Sequence, residues 1–169
     1  LIYPEAKPNA ARTYLAALEK TGKLKAVVTQ NIDSLHEMAG SKRVLKLHGS
    51  ADRNYCTGCQ RFYDLEAFLA LEGPVPHCVD CGKVVKPDVT LYEESLDMDV
   101  FSQAAQAIRQ ADLLIIGGTS LVVYPAASLV NYFSGTNLVL INKTSIPQDS
   151  QATLVIEGKI GEVFSKLRQ

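Results

Sequence analysis

The chain has no tryptophan, only two methionines and four cysteines in 169 residues, and a formal charge of −1 from 17 basic and 18 acidic side chains. That balance gives a nucleic-acid groove no electrostatic support, and no long basic block stands anywhere along it. Uninterrupted apolar runs are short. Leu113–Ile116, for instance, meets glycines directly, far from the roughly 20 residues of a membrane span. Internal repeats and low-complexity stretches are missing too, which excludes a solenoid and argues against a disordered linker. The length suits one domain with a good core and a small satellite.

The four cysteines fall in two close pairs, Cys56-x-x-Cys59 and Cys78-x-x-Cys81, eighteen residues apart. Two such pairs are what a tetrahedral zinc site needs, each gripping one edge of the ion from a tight knuckle. Four thiolates leave no open coordination position, so the expected zinc is structural, one per chain. His77 could stand in for a cysteine, but with four thiols available it reads as a bystander. The alternative, a pair of redox CxxC motifs, needs a thiol at a helix N-terminus after a strand. Cys56 follows Asn54-Tyr55, and Cys78 follows the turn-like Pro76-His77. Metal-paired, reduced cysteines suit a cytoplasmic protein better than a secreted one.

Along the chain, Pro8-Asn9 opens a helix whose apolar face is Ala11, Leu15 and Leu18 and which closes near Gly22. Lys25–Thr29 reads as a buried strand, Ser34–Gly40 as a short helix, and Val44–Leu47 as a strand stopping at His48-Gly49. Residues 52–87 form the satellite, with a helix near Leu65–Leu71, and Asp97–Gln110 is a second amphipathic helix. Asp112–Ile116 is then a strand ending in Gly117-Gly118-Thr119-Ser120. Pro125 suits the first turn of a helix to about Phe133, and Asn137–Ile141 returns as a strand. This is a βαβ unit with parallel strands. Ala152–Ile156 adds a strand and Gly161–Leu167 a closing helix. The expected fold is α/β, a doubly wound parallel, Rossmann-like sheet (1–51 and 88–169) with an inserted zinc-ribbon module (52–87).

Ligands of such sheets bind beyond the carboxyl ends of the strands. Three ends here are polar or glycine-rich: Thr29–Asp33, Gly117–Ser120 and Asn142-Lys143. The middle one lets backbone N–H groups approach a phosphate. Taken singly, these features have plain readings: Asn31 and Asp33 as helix caps before Leu35, His48 as a surface histidine, His36 as packing, the glycine pair as a tight turn.

Their order is more specific. Thr29-Gln30-Asn31-Ile32-Asp33-Ser34-Leu35-His36, Ala39-Gly40, Leu47-His48-Gly49, the two cysteine pairs, Lys86-Pro87-Asp88-Val89, Gly118–Ala126 and Ile141-Asn142 together resemble the sirtuins, NAD-dependent protein lysine deacylases, from Pro8 to the C-terminus. The resemblance implies that Gln30, Asn31 and Asp33 line the nicotinamide and ribose pocket and that His48 is the catalytic base. It also implies that Gly118, Thr119 and Ser120 hold phosphate and ribose, that Asn142 contacts the adenosine ribose, and that Val89, Thr90, Leu91 and Tyr92 pair with a substrate peptide by strand addition. In that mechanism the acyl oxygen of a modified lysine attacks the ribose carbon bearing nicotinamide. A histidine of ordinary basicity then takes a proton from a ribose hydroxyl. Products are nicotinamide, free lysine and O-acyl-ADP-ribose.

The chain departs from the family pattern in several places. The family's opening strand and Gly-Ala-Gly-type phosphate loop are not in it. The expectation is therefore a C-terminal piece of a longer protein, with a sheet short of a central strand, weak NAD binding and no appreciable turnover by these 169 residues alone. Unpaired groups on neighbouring strands would cost about 1–3 kcal/mol each if unsolvated. Glu93 stands where the family usually has glycine, adding charge beside the acyl-lysine tunnel or stiffening the loop, or else simply solvated. Lys86 replaces a common arginine and loses its fork. Arg12 replaces a common histidine, with no catalytic consequence expected. Two other functions fit: a protein ADP-ribosyltransferase, or a zinc-ribbon binding module without catalysis. The expected partners are NAD and an acylated-lysine protein or peptide, with no membrane and no direct nucleic-acid contact.

Overall fold

A computed structural model describes residues 5–167; the outermost positions of the expected cofactor domain, 1–4 and 168–169, lie outside them. Helix α1 (Ala10–Lys20) starts where Asn9 accepts the Arg12 N–H on its side chain, a standard cap for an otherwise orphaned donor. After Gly22, at φ 74°, the N–H groups of Lys23 and Leu24 turn back to the Leu18 carbonyl. The strand that follows, β1, is Val27–Thr29, shorter at its front than the expected Lys25–Thr29. Helix α2 (Leu35–Met38) leads to β2 (Val44–Lys46), which pairs parallel with β1.

The expected βαβ unit is present. β6 (Leu113–Gly117), β7 (Asn137–Asn142) and β8 (Leu154–Glu157) run parallel in that spatial order. The connection between β6 and β7 differs from expectation. Pro125 precedes rather than opens the helix, and Ala126–Tyr132 is 3₁₀, with short-range bonds such as Ser128 N–H to the Pro125 carbonyl. Helix α4 (Met98–Arg109) is capped by Asp97, which accepts from Asp99 and Val100. The closing helix α5 is Ile160–Ser165.

Helices cover both faces of the parallel strands. Leu114 packs with Leu45, Phe101, Ala104 and Leu129 under α4 and the 3₁₀ helix. Its neighbour Ile115 packs with Ala11, Ile141 and Phe164 under α1 and α5. Alternation along a strand sends successive side chains to opposite faces, and the result is a doubly wound α/β fold. Among the described residues the parallel strands form two groups, β1–β2 and β6–β7–β8. The groups share one core, since Val28 and Leu45 meet Leu114 there.

Between β2 and α4 sits an antiparallel unit of β3 (Gly49–Cys56), β4 (Phe62–Asp64) and β5 (Val85–Val89), in the order β4-β3-β5, with helix α3 (Leu65–Leu69). Its strands reach a few residues past 52–87 at each end. Cys56, Tyr63, Cys78 and Val85 form its core. The register between β3 and β5 shifts between Ser50 and Asn54, where the buried Asn54 amide donates to the Ala51 and Tyr63 carbonyls. Cys56 therefore does close a strand, contrary to the sequence reading, but a turn follows it and not a helix. No helix among the described residues is long and apolar enough to cross a membrane.

Candidate cofactor pocket and metal centre

The four cysteine sulfurs lie within 4.8 Å of one another. Cys56 Sγ is 3.3 Å from Cys81 Sγ, and Cys59 Sγ is 3.6 Å from Cys78 Sγ. A zinc tetrahedron with bonds of about 2.3 Å needs sulfur–sulfur edges of about 3.8 Å, so the donor set fits zinc with small adjustments. Surrounding donors favour thiolates. Gly58 and Cys59 N–H groups point at Cys56 Sγ, and the Tyr63 hydroxyl donates to Cys78 Sγ over 3.2 Å. That hydroxyl is the leading reason the Cys78 thiol is pushed down to about 6. At Cys59 a backbone hydrogen bond at Arg61 favours the anion, but the crowding sulfurs of Cys81, Cys56 and Cys78, together with burial, push it up to about 12. Bare thiolates cannot all ionise together, whereas a dication lets them. His77 stands outside this cluster, with Nδ1 donating to its own loop at Val75 O.

His48 sits between β2 and β3, half-buried, with Nδ1 3.0 Å from the Gln30 carbonyl oxygen. A carbonyl only accepts, so Nδ1 carries the proton and Nε2 is the basic nitrogen. Sequence reading assigned Gln30 a place in the pocket lining; its main-chain oxygen also orients His48, which no side-chain pattern could reveal. The loop from Gln30 to Asp33 runs beside the start of β3, with the Ala51 N–H on the Ile32 carbonyl. Asp33 caps α2 through the Leu35 N–H and pairs with Arg12. The peptide-pairing candidates are adjacent. Gly49 stands opposite Val89, and the Thr90 N–H donates to the His48 carbonyl. Leu91 and Tyr92 project into solvent. Glu94 ties this loop down, accepting from the Leu91 N–H and the Lys86 ammonium, and those two contacts, in that order, lower its pKa.

Gly118, Thr119, Ser120 and Asn142 line a cavity of about 690 Å³ at the ends of β6 and β7. Gly118 has φ 66°, and a Cβ added there would meet nothing within 4 Å, so the loop backbone is bare towards open space. That suits close approach of a phosphate or sugar. Both ends of the Asn142 amide are already engaged: Oδ1 accepts the Thr119 N–H and Nδ2 donates to the Thr119 carbonyl. Asn142 thus shapes the loop besides facing the cavity. Sequence reading missed the other wall, where Asn9, Ala10 and the Gly158–Gly161 turn close in. The only sequence hint was the glycine spacing. Gln30, Asn31, Asp33 and His48 do not line this cavity. The site residues form two groups, with the N-terminal turn of α1 touching both: Asn9 and Ala10 at the cavity, Arg12 at Asp33.

A doubly wound α/β fold, a polar rim at its strand ends and a four-thiolate knuckle inserted beside a histidine define a nucleotide-binding class of enzyme-like domain. The Sir2 family model matches residues 1–125, and the chain belongs to the Sir2 family. It is 62% identical over 168 residues to the NAD-dependent protein deacetylase of Clostridium perfringens, covering 99% of this chain and 68% of that protein. With the Clostridium tetani protein of the same description it shares 55% over 164 residues, 97% and 66% of the two chains. A solved Sir2 with p53 peptide and NAD+ superposes with TM-score 0.91 at 40% identity, covering 96% of this chain and 69% of that one. A Sir2 bound to acetylated peptide gives 0.92 at 39%, covering 98% and 72%. The chain spans about two thirds of the length of these curated relatives.

Proposed function

We propose that this chain carries the base, the peptide-pairing edge and the zinc module of an NAD-dependent protein lysine deacylase. The reading rests above all on one observation: the Gln30 carbonyl holds His48 in the tautomer that leaves Nε2 basic. Bound NAD supplies the ribose carbon that an acyl oxygen attacks and releases nicotinamide. His48 Nε2 takes a proton from a ribose hydroxyl, while the Gln30–Asp33 loop holds the sugar that carries it. Gly118, Thr119 and Ser120 receive the adenosine half, with Asn142 keeping their loop open. Val89–Tyr92 offers main-chain groups to an extended acyl-lysine peptide, which gives affinity with little sequence demand. Zinc, held by Cys56, Cys59, Cys78 and Cys81, supplies no chemistry and keeps β3 and β5 in register. The domain division 1–51 with 88–169 and 52–87, and a reducing, cytoplasmic setting, belong to the same reading.

The test uses the protein expressed from its complete reading frame, with acetyl-lysine peptide and NAD. Mass spectrometry is expected to find O-acetyl-ADP-ribose and free lysine peptide, and His48→Ala to lower kcat by at least about 100-fold with the zinc content unchanged. ADP-ribosylated protein in place of O-acetyl-ADP-ribose would give the reading to a transferase. An unaffected His48→Ala enzyme would leave a binding module.

A further inference from the structure

Arg12 was expected to have no catalytic consequence, but it occupies a defined place beside Asp33. Its side chain is 14% exposed, and its Nη2 lies 3.3 and 3.2 Å from Asp33 Oδ1 and Oδ2. Asp33 Oδ1 also accepts the Leu35 N–H at 3.0 Å. One oxygen of the carboxylate therefore has two donors and the other has one. The Asp33 side chain remains 40% exposed, so Oδ2 has a free lone pair open to a hydroxyl from outside. A carboxylate on a short side chain that lacked Arg12 would sample rotamers and hydrate; with Arg12 it is pinned from two sides.

We propose that Arg12 is a positioning residue that presents Asp33 to the cofactor and thereby sets the KM for NAD, leaving the chemical step to His48. This rests on the reading of Asp33 as a cofactor contact. His48 is held by Gln30, a different partner, so loss of Arg12 leaves the base in place. Arg12 and Asp33 both act on the His36 imidazole of α2, as do Glu37 on α2 and Lys46 on β2, which pair with each other. At the start of α5, which packs against α1, Lys159 and Glu162 pair with each other. Arginine stays charged at every working pH, so the Asp33 clamp does not loosen as pH rises.

The experiment compares Arg12→Met, Arg12→Lys, Arg12→His, Asp33→Asn and the Arg12→Met/Asp33→Asn pair in the zinc-loaded enzyme from the complete reading frame. It reads kcat and KM for NAD by nicotinamide release at saturating peptide. Arg12→Met is expected to raise KM about three- to tenfold, the cost of ordering a freed side chain, with kcat within about twofold. Arg12→Lys should recover part of the loss. The double variant should be no worse than Asp33→Asn alone. Arg12→His should have nearly the parental KM at about pH 6, where imidazole is cationic, and approach Arg12→Met by about pH 8.5. If Asp33→Asn raises KM while Arg12→Met does not, or if the two effects simply add, the proposal is overturned and the Asp33 reading stands. If Asp33→Asn leaves KM unchanged, that reading fails and takes the proposal with it. Should Arg12→Met fail to fold, a pH-independent KM in Arg12→His overturns the proposal by itself.

Discussion

His36 shows how strongly surroundings can decide a residue whose sequence context says little. It reads from sequence as packing or solvent-facing; in the fold its Nδ1 is buried and finds no hydrogen-bond partner among the described residues. Burial first, then the nearby Arg12 guanidinium, hold its pKa below the usual 6.5, with Lys46 adding to this and Asp33 and Glu37 opposing. The unfolded imidazole binds a proton more readily than the folded one. The stability this neutral histidine allows is therefore fully present above about pH 6.5 and is lost as pH falls below it. Urea midpoints at about pH 7.5 and pH 6 should differ more for the parent than for His36→Asn. An equal drop in both would show that His36 does not contribute. Glu93 is a second case. Its φ of 70° lies in the left-handed region, which explains why a glycine is usual there better than charge does.

Local structure was legible wherever a cap or a period decides it. Asn9 and Asp97 mark the helix starts they occupy, and the apolar run before Gly117 is the strand it resembles. The strands β3 and β4 were not legible. Their residues are mixed in polarity, and what makes them strands is pairing, β4 with β3 and β3 with the distant β5. That seam is tight. Gly49 has φ 75°, and a Cβ on it would stand 2.0 Å from the Asp88 carbonyl oxygen. Gly49→Ala must therefore push β5 away or distort β3, for about 2–4 kcal/mol of stability in denaturant unfolding. Because His48 precedes Gly49 and Thr90 bonds its carbonyl, activity should fall with it. A loss under about 0.5 kcal/mol would mean the seam yields freely.

For the molecule as a whole, the four-cysteine cluster and the proposed reaction site are joined by the same two strands. β3 runs from Gly49, next to His48, to Cys56, and β5 runs back from Val85, beside Cys56, to Val89. Metal analysis should find about one zinc per chain. Its removal by a strong chelator should abolish deacylation and expose the cysteines to thiol reagents, while the α/β helices keep most of their far-ultraviolet signal. Added zinc should restore activity. Full activity after complete metal loss would show that β3 and β5 hold their register without it.

Amino-acid order alone determined the four-cysteine cluster, the α/β class and the βαβ unit, because each depends on residue type at short spacing, and it named His48 as the candidate base through the order of its motifs. Only tertiary structure decided the rest: the tautomer of His48 through an oxygen 18 residues away, the Arg12–Asp33 pair across 21, and the Asn142 tie to Thr119 across 23. It also divided the parallel strands into two groups and the site residues between two places. The physical reason is one of range. Caps and periodicity act within a turn or two of chain, whereas a hydrogen bond between distant segments exists only after packing has brought them together and excluded the water that competed for it.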